Sequence, residues 1–278
     1  MNDIIQIIFK ITMPAFVIGS MFTMGLGLNL TQIIAPFKNI TLVILSIISN
    51  FIVVPLFAYG ITQYIPVSEG VRTGILLLSL GGGAPFIPMV VSVAKGYVGG
   101  AVGLMLLLVM VTIIYMPLVM PYLFPGAAVS SWDIAKSLIV TILIPSTLGI
   151  LIKTRFSEFA LRLQPFTAKF TNLMVLLLII AMLYLYTETI IANLSVFPIV
   201  LLFFLGSAVI GYLTGGKNRD ARIILAVGTG LRNPPVAMLI ATQHFATEPM
   251  AAIVPLLIVI VGLSILFPLA GIIGKKVA

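Results

Sequence analysis

The chain contains no cysteine, one histidine and one tryptophan, and only 8% of its 278 residues are charged. Without cysteine there is no disulfide and no thiolate metal site. With so few charges and 61% hydrophobic residues, a water-soluble domain of this length is excluded. Acidic residues are the scarcest class, seven against fifteen Lys and Arg, and none of the seven lies inside an apolar run. Paired carboxylates for acid–base work inside a membrane are therefore missing. No nucleophile–base pair or metal-ligand cluster replaces them, so no enzyme activity, cofactor or metal is expected. The apolar runs lack strand alternation, which excludes a β-barrel. The net charge of +8 is spread over short loops, as topogenic charge is, rather than gathered into a nucleic-acid groove. The first apolar run is too long for a cleavable signal peptide and flows into a spanning helix.

What is present is nine apolar runs, each long enough to cross a bilayer. They cover about Ile4–Leu28, Ile40–Ile65, Val71–Ala94, Val98–Leu123, Ile134–Ile152, Ala168–Thr187, Phe197–Leu213, Ile223–Phe245 and Ala251–Ile273. The expected fold is an all-α polytopic membrane protein of nine transmembrane helices, forming one membrane domain over residues 1–278. One set of loops carries Lys38, Lys95, Lys153, Arg155, Arg162, Lys169, Lys217, Arg219, Arg222, Lys275 and Lys276. The other carries Arg72 with Asp3, Glu69, Asp133, Glu188 and Glu248. This bias places the N-terminus outside and the C-terminus in the cytoplasm. The expected setting is the inner (plasma) membrane of a bacterium, among lipids.

Two of the runs contain residues hostile to a straight helix. The eighth holds Gly228-Thr229-Gly230-Leu231-Arg232-Asn233-Pro234-Pro235, in which two prolines remove hydrogen-bond donors and a guanidinium sits at mid-run. The third holds Gly81-Gly82-Gly83-Ala84-Pro85-Phe86-Ile87-Pro88. Backbone broken at membrane depth survives only inside protein or against a water-filled cavity. From Pro88 to Leu123 and from Pro235 to Ala270 the chain runs the same 35 residues. That spacing implies an inverted repeat, about 4–123 and 134–273, with two broken helices crossing at the bilayer centre. The positive N-termini of the two second half-helices then converge there, which suits an anion. Helix-break positions are Gly81, Gly82, Pro85, Gly228, Pro234 and Pro235. Arg232 has two roles open to it: holding unwound carbonyls, or pairing with a substrate carboxylate or sulfonate. Asn233, Thr229, Gly230, Gly83, Ala84, Pro88 and Asn50 complete the candidate substrate-binding set.

These segments resemble the bile acid:sodium symporter family, part of a wider group of bile, arsenite and riboflavin-type transporters. The likeness runs through Met24-Gly25-Leu26-Gly27-Leu28, Asn50-Phe51 with Pro55, and Ala94-Lys95-Gly96 after the first break. It is strongest at Thr229-Gly230-Leu231-Arg232-Asn233, followed by Ala237 and His244-Phe245-Ala246. The resemblance implies a panel domain, here runs 1, 5 and 6, and a core domain, runs 2–4 and 7–9. It also implies alternating access by an elevator-like or rocking movement. The family's sodium ligands are not matched. Its glutamate falls on Gly228, its glutamine at the second crossing on Arg232 and its Ser-Asn pair on Ile87 and Pro88. Its following hydroxyls fall on Ala101 and Met105, and the glutamine of the second run on Asn50. The expected function is secondary transport of a small organic anion without sodium coupling. Sodium symport through backbone ligands and an uncoupled channel are the alternatives, and the oligomeric state is open.

Overall fold

The computed structural model describes residues 2–28, 39–125 and 130–275. Lys38 and Lys276 lie outside the described residues. The helices are α1 (Asn2–Leu26), α2 (Ile40–Tyr64), α3 (Glu69–Leu80), α4 (Ile87–Val93), α5 (Val98–Leu123) and α6 (Ser131–Arg155). They continue with α7 (Ser157–Ala192), α8 (Val196–Thr214), α9 (Arg219–Leu231), α10 (Pro234–His244) and α11 (Pro249–Lys275). Among the described residues, eight stretches are long and apolar enough to cross a membrane, α9 and α10 counting as one. The run expected over Val71–Ala94 forms α3 and α4, each too short to cross alone.

Local chemistry explains where helices bend or stop. In α2 a π turn, Ser49–Val53, precedes Pro55, and in α6 a π turn, Ile139–Leu143, precedes Pro145. Pro55 has no N–H, so it serves neither Phe51 O four residues back nor Asn50 O five back. Both carbonyls are left for other partners. The run read as starting at Ala168 begins in fact at Ser157, joined to α6 through Phe156 alone. Arg162, Gln164 and Lys169 lower the apolarity of its first turns without breaking the helix.

α1 lies on α6 and α7. A Cβ added at Gly149 would sit 2.6 Å from Phe22 O, and one at Gly25 would collide with Ser146 O, so α1 and α6 touch backbone to backbone. In lipid, where no hydrophobic force joins helices, small residues of this kind permit the approach that holds them. Elsewhere α8 packs on α9, α4 on α5, α5 on α6, and α11 on both α3 and α10. Gly211 beside Thr229 and Gly74 beside Val254 play the same part there. The α9–α10 stretch is 94% buried over its most apolar window and α7 only 17%. The broken helix is thus the centre of the protein and α7 faces lipid. On α2, Ile44, Ile48, Ile52 and Leu56 form an exposed stripe at helical spacing, a second lipid-facing surface.

Candidate functional site

The site is assembled from two interrupted helices that tie off each other's loose ends. Pro234 and Pro235 cannot donate to the carbonyls four residues earlier, so α9 stops at Leu231. The residue before a proline avoids helical geometry, and Asn233 is extended at φ −124°, ψ 79°. Asn233 Oδ1 then accepts from Val236 N (3.4 Å), capping α10. Its Nδ2 donates to Gly82 O (3.2 Å) and Gly83 O (3.1 Å), and its backbone N–H to Gly81 O (2.9 Å). One asparagine therefore satisfies three carbonyls of the other break. On the far side Thr112 Oγ1 accepts from Gly82 N at 2.8 Å. Gly83 has φ +87°, and a Cβ there would lie 2.6 Å from both Met105 O and Val109 Cγ2. Only glycine lets this turn lie directly on α5.

Arg232 is wholly buried, 0% exposed. Its backbone, φ 55° and ψ −154°, occupies a region that is essentially glycine territory and costs about 1–3 kcal/mol. The side chain offsets that strain. Nε donates to Leu78 O (3.2 Å), Nη1 to Asn50 Oδ1 (2.5 Å), and Nη2 to Asn50 O (3.0 Å) and Ser79 O. Leu78 and Ser79 are in the last turn of α3, where carbonyls run short of helical donors; Leu78 O also accepts from the capping Gly81 N–H at 3.2 Å. Asn50 O is one of the two groups freed by Pro55; the other, Phe51 O, takes a hydrogen bond from the Tyr115 hydroxyl at 2.6 Å. Asn50 Nδ2 continues the network to Thr229 Oγ1 (3.2 Å) and Ser46 O (2.9 Å). Among the described residues the single ion pair is Arg219–Asp220, 3.7 Å and exposed. The guanidinium charge is therefore solvated by carbonyl and amide dipoles alone, as a bound metal cation would be.

Arg232, Asn233, Asn50 and Thr229 come together, with Gly81–Gly83 held by Asn233. Ala84 is buried beside them. Gly230 points elsewhere: its Cβ would meet Ala208 Cβ at 3.0 Å on α8. At Gly228 a Cβ would be 3.5 Å from Ile87 Cδ1 and from Leu104 Cδ2. With Ala101 and Met105 also buried, that flank of the crossing is apolar.

Pro88 alone of the candidate substrate set lines a cavity of about 400 Å³ between the α1–α7 pair and the start of α4. Its walls include Ser20 and Thr23 of α1, Gln164, Thr171 and Asn172 of α7, and Phe86, Met89 and Met105 opposite. No charged side chain lines it. Sequence reasoning missed the five polar residues, although they recur at helical spacing in their helices. A smaller cavity of about 290 Å³, with Gln6, Lys10, Tyr186, Thr242 and Glu248 on its walls, lies toward the other ends of α1 and α7.

Residues 14–193, more than half of the chain, match the family model described as the Sodium Bile acid symporter family. That stretch contains the first break and ends before the second. A search of curated proteins returned no match.

Proposed function

This chain belongs to the sodium bile acid symporter family and is accordingly a membrane transporter, and we propose that it carries a small organic anion, a carboxylate or sulfonate, by alternating access without sodium. The observation that carries this reading is the guanidinium of Arg232 caged by Leu78 O, Ser79 O, Asn50 O and Asn50 Oδ1. These oxygens are what a sodium ion would need, and Arg232 has taken them. A sodium ion ~4 Å away would meet a repulsion of ~4 kcal/mol at an effective dielectric of 20. The other flank, Gly228 against Ile87 and Leu104, supplies no oxygen ligand from its side chains. An anion feels the opposite: at ~10 Å the same charge attracts it by about 1–2 kcal/mol, and among the described residues no carboxylate pairs with the guanidinium. Transport is then uniport, exchange, or proton-linked through the substrate's own carboxyl group.

In this reading the two broken helices each cross in two halves, giving nine crossings in two inverted repeats. The helices α1, α6 and α7 form the panel and the rest the core, with the basic loops in the cytoplasm. The test is counterflow in proteoliposomes: internal unlabelled anion should accelerate uptake of labelled anion equally in sodium, potassium and choline buffers. Uptake that needs sodium, or that fails to saturate, overturns the proposal.

A further inference from the structure

We propose that the 400 Å³ cavity selects a substrate with a single polar end, held by the amides of Gln164 and Asn172 on α7. The inference rests on the transport reading above and names the groups that set its specificity. The cavity is two-faced. Its α1–α7 wall presents amides and hydroxyls, whereas Phe86, Met89 and Met105 make the facing wall apolar. The polar wall is built in. A Cβ at Gly27 would lie 2.6 Å from Gln164 Nε2, and one at Gly19 would lie 2.8 Å from Thr171 Oγ1. Glycines on α1 thus make room for polar groups of α7. The hydroxyls of this wall are already engaged, Ser20 donating to Val17 O (2.8 Å), Thr171 to Thr167 O (2.8 Å), and Thr23 lying 3.5 Å from Thr171 Oγ1. Among the described residues, the side-chain amides of Gln164 and Asn172 have no hydrogen-bond partner and are the donors left over for a ligand. An amide NH₂ can give a charge-assisted hydrogen bond to a carboxylate oxygen. A second charge on the ligand would press against Phe86, Met89 and Met105, where no donor compensates its lost hydration. The cavity therefore discriminates a monocarboxylate with an apolar body from a dicarboxylate.

The experiment uses the purified full-length chain with radiolabelled octanoate as probe and octanedioate as competitor. Wild type should bind octanoate saturably and ignore octanedioate. Gln164→Leu and Asn172→Leu should each weaken octanoate by about tenfold, the loss of one charge-assisted hydrogen bond. Gln164→Glu, close to isosteric, should lose octanoate while retaining octanamide, which separates recognition from folding. Met89→Arg should admit octanedioate. Unchanged octanoate affinity in both leucine variants, with counterflow intact, overturns this assignment and leaves the carrier reading standing. Effective competition by octanedioate in wild type overturns it as well. Absence of saturable octanoate binding together with absence of counterflow overturns both.

Discussion

Replacing Arg232 by alanine should convert an arginine-filled crossing into one that responds to sodium. The substitution strips the donor from four buried acceptors, Leu78 O, Ser79 O, Asn50 O and Asn50 Oδ1. Leu78 O keeps the Gly81 N–H at 3.2 Å, so three acceptors are left unsatisfied, and at about 1–3 kcal/mol each the gross loss is roughly 3–9 kcal/mol. The variant no longer buries a charge, which returns several kcal/mol of desolvation, so the net destabilisation is about 2–4 kcal/mol. The four emptied oxygens form a hard-ligand set of the kind that suits a small cation. If sodium binds there with a Kd of ~10 mM, 100 mM sodium restores about 1.4 kcal/mol. For a chain of this size that is roughly 3–6 °C in Tm. The assay is heating in detergent followed by size-exclusion, with ionic strength held constant by choline. Wild type should be indifferent to the cation, Arg232→Ala should melt lower, and sodium should raise the variant alone. Arg232→Lys should rescue poorly, because an ammonium cannot span acceptors on both α2 and α3 with a planar fork. A saturable sodium effect on wild type, or an alanine variant as stable as wild type, refutes the reasoning.

Three further outcomes are expected. Arg232→Gly should be more stable than Arg232→Ala by about 1 kcal/mol, because glycine accepts φ 55° without strain; equal melting would show that the backbone is not strained there. Gly83→Ala should lose more than about 2 kcal/mol or fail to yield monodisperse protein, since its Cβ would meet Met105 O and Val109 at 2.6 Å on a positive-φ backbone; a normal yield and melting profile would contradict the close approach. In this cysteine-free chain, single cysteines at Lys217 and Glu188 should label from opposite sides, Lys217 from the cytoplasm only; labelling of both from one side would sink the proposed topology.

Both breaks were legible in the sequence because their causes are local. Proline lacks a donor and glycine lacks a Cβ wherever they stand, so the interruptions at 81–86 and 232–233 could be placed without tertiary knowledge. Gly228, read as part of the second break, lies instead inside α9, where a glycine alone does not stop a helix. The direction of Arg232 could not. Its acceptors lie on α2 and α3, more than 150 positions earlier in the chain, and one of them exists only because Pro55 follows a π turn. Both roles were open to this residue, and the fold turns its donors onto Leu78, Ser79 and Asn50. Gln164 escaped notice for another reason. Arg155, Glu158, Arg162 and Lys169 made its surroundings read as a loop, whereas α7 begins at Ser157 and carries Gln164 into the cavity wall. Helical periodicity in α1 and α7 held that information, but it emerges only once the start of α7 is known.

The glycine contact between α1 and α6 constrains how the molecule can rearrange. Where Gly25 meets Ser146 and Gly149 meets Phe22, main chain rests on main chain. A side chain can rotate to absorb a shift, but two abutting backbones have no such slack. Displacing α1 by even a fraction of a turn would drive carbonyl oxygens into the opposing chain, so under the proposed alternating access α1 and α6 would travel as one plank. Any change that closes one cavity and widens the other has to be taken up elsewhere. In the proposed movement it would fall to the boundary along which Phe86 and Met89 face Thr23 and Asn172, where flexible side chains and open volume leave room to slip.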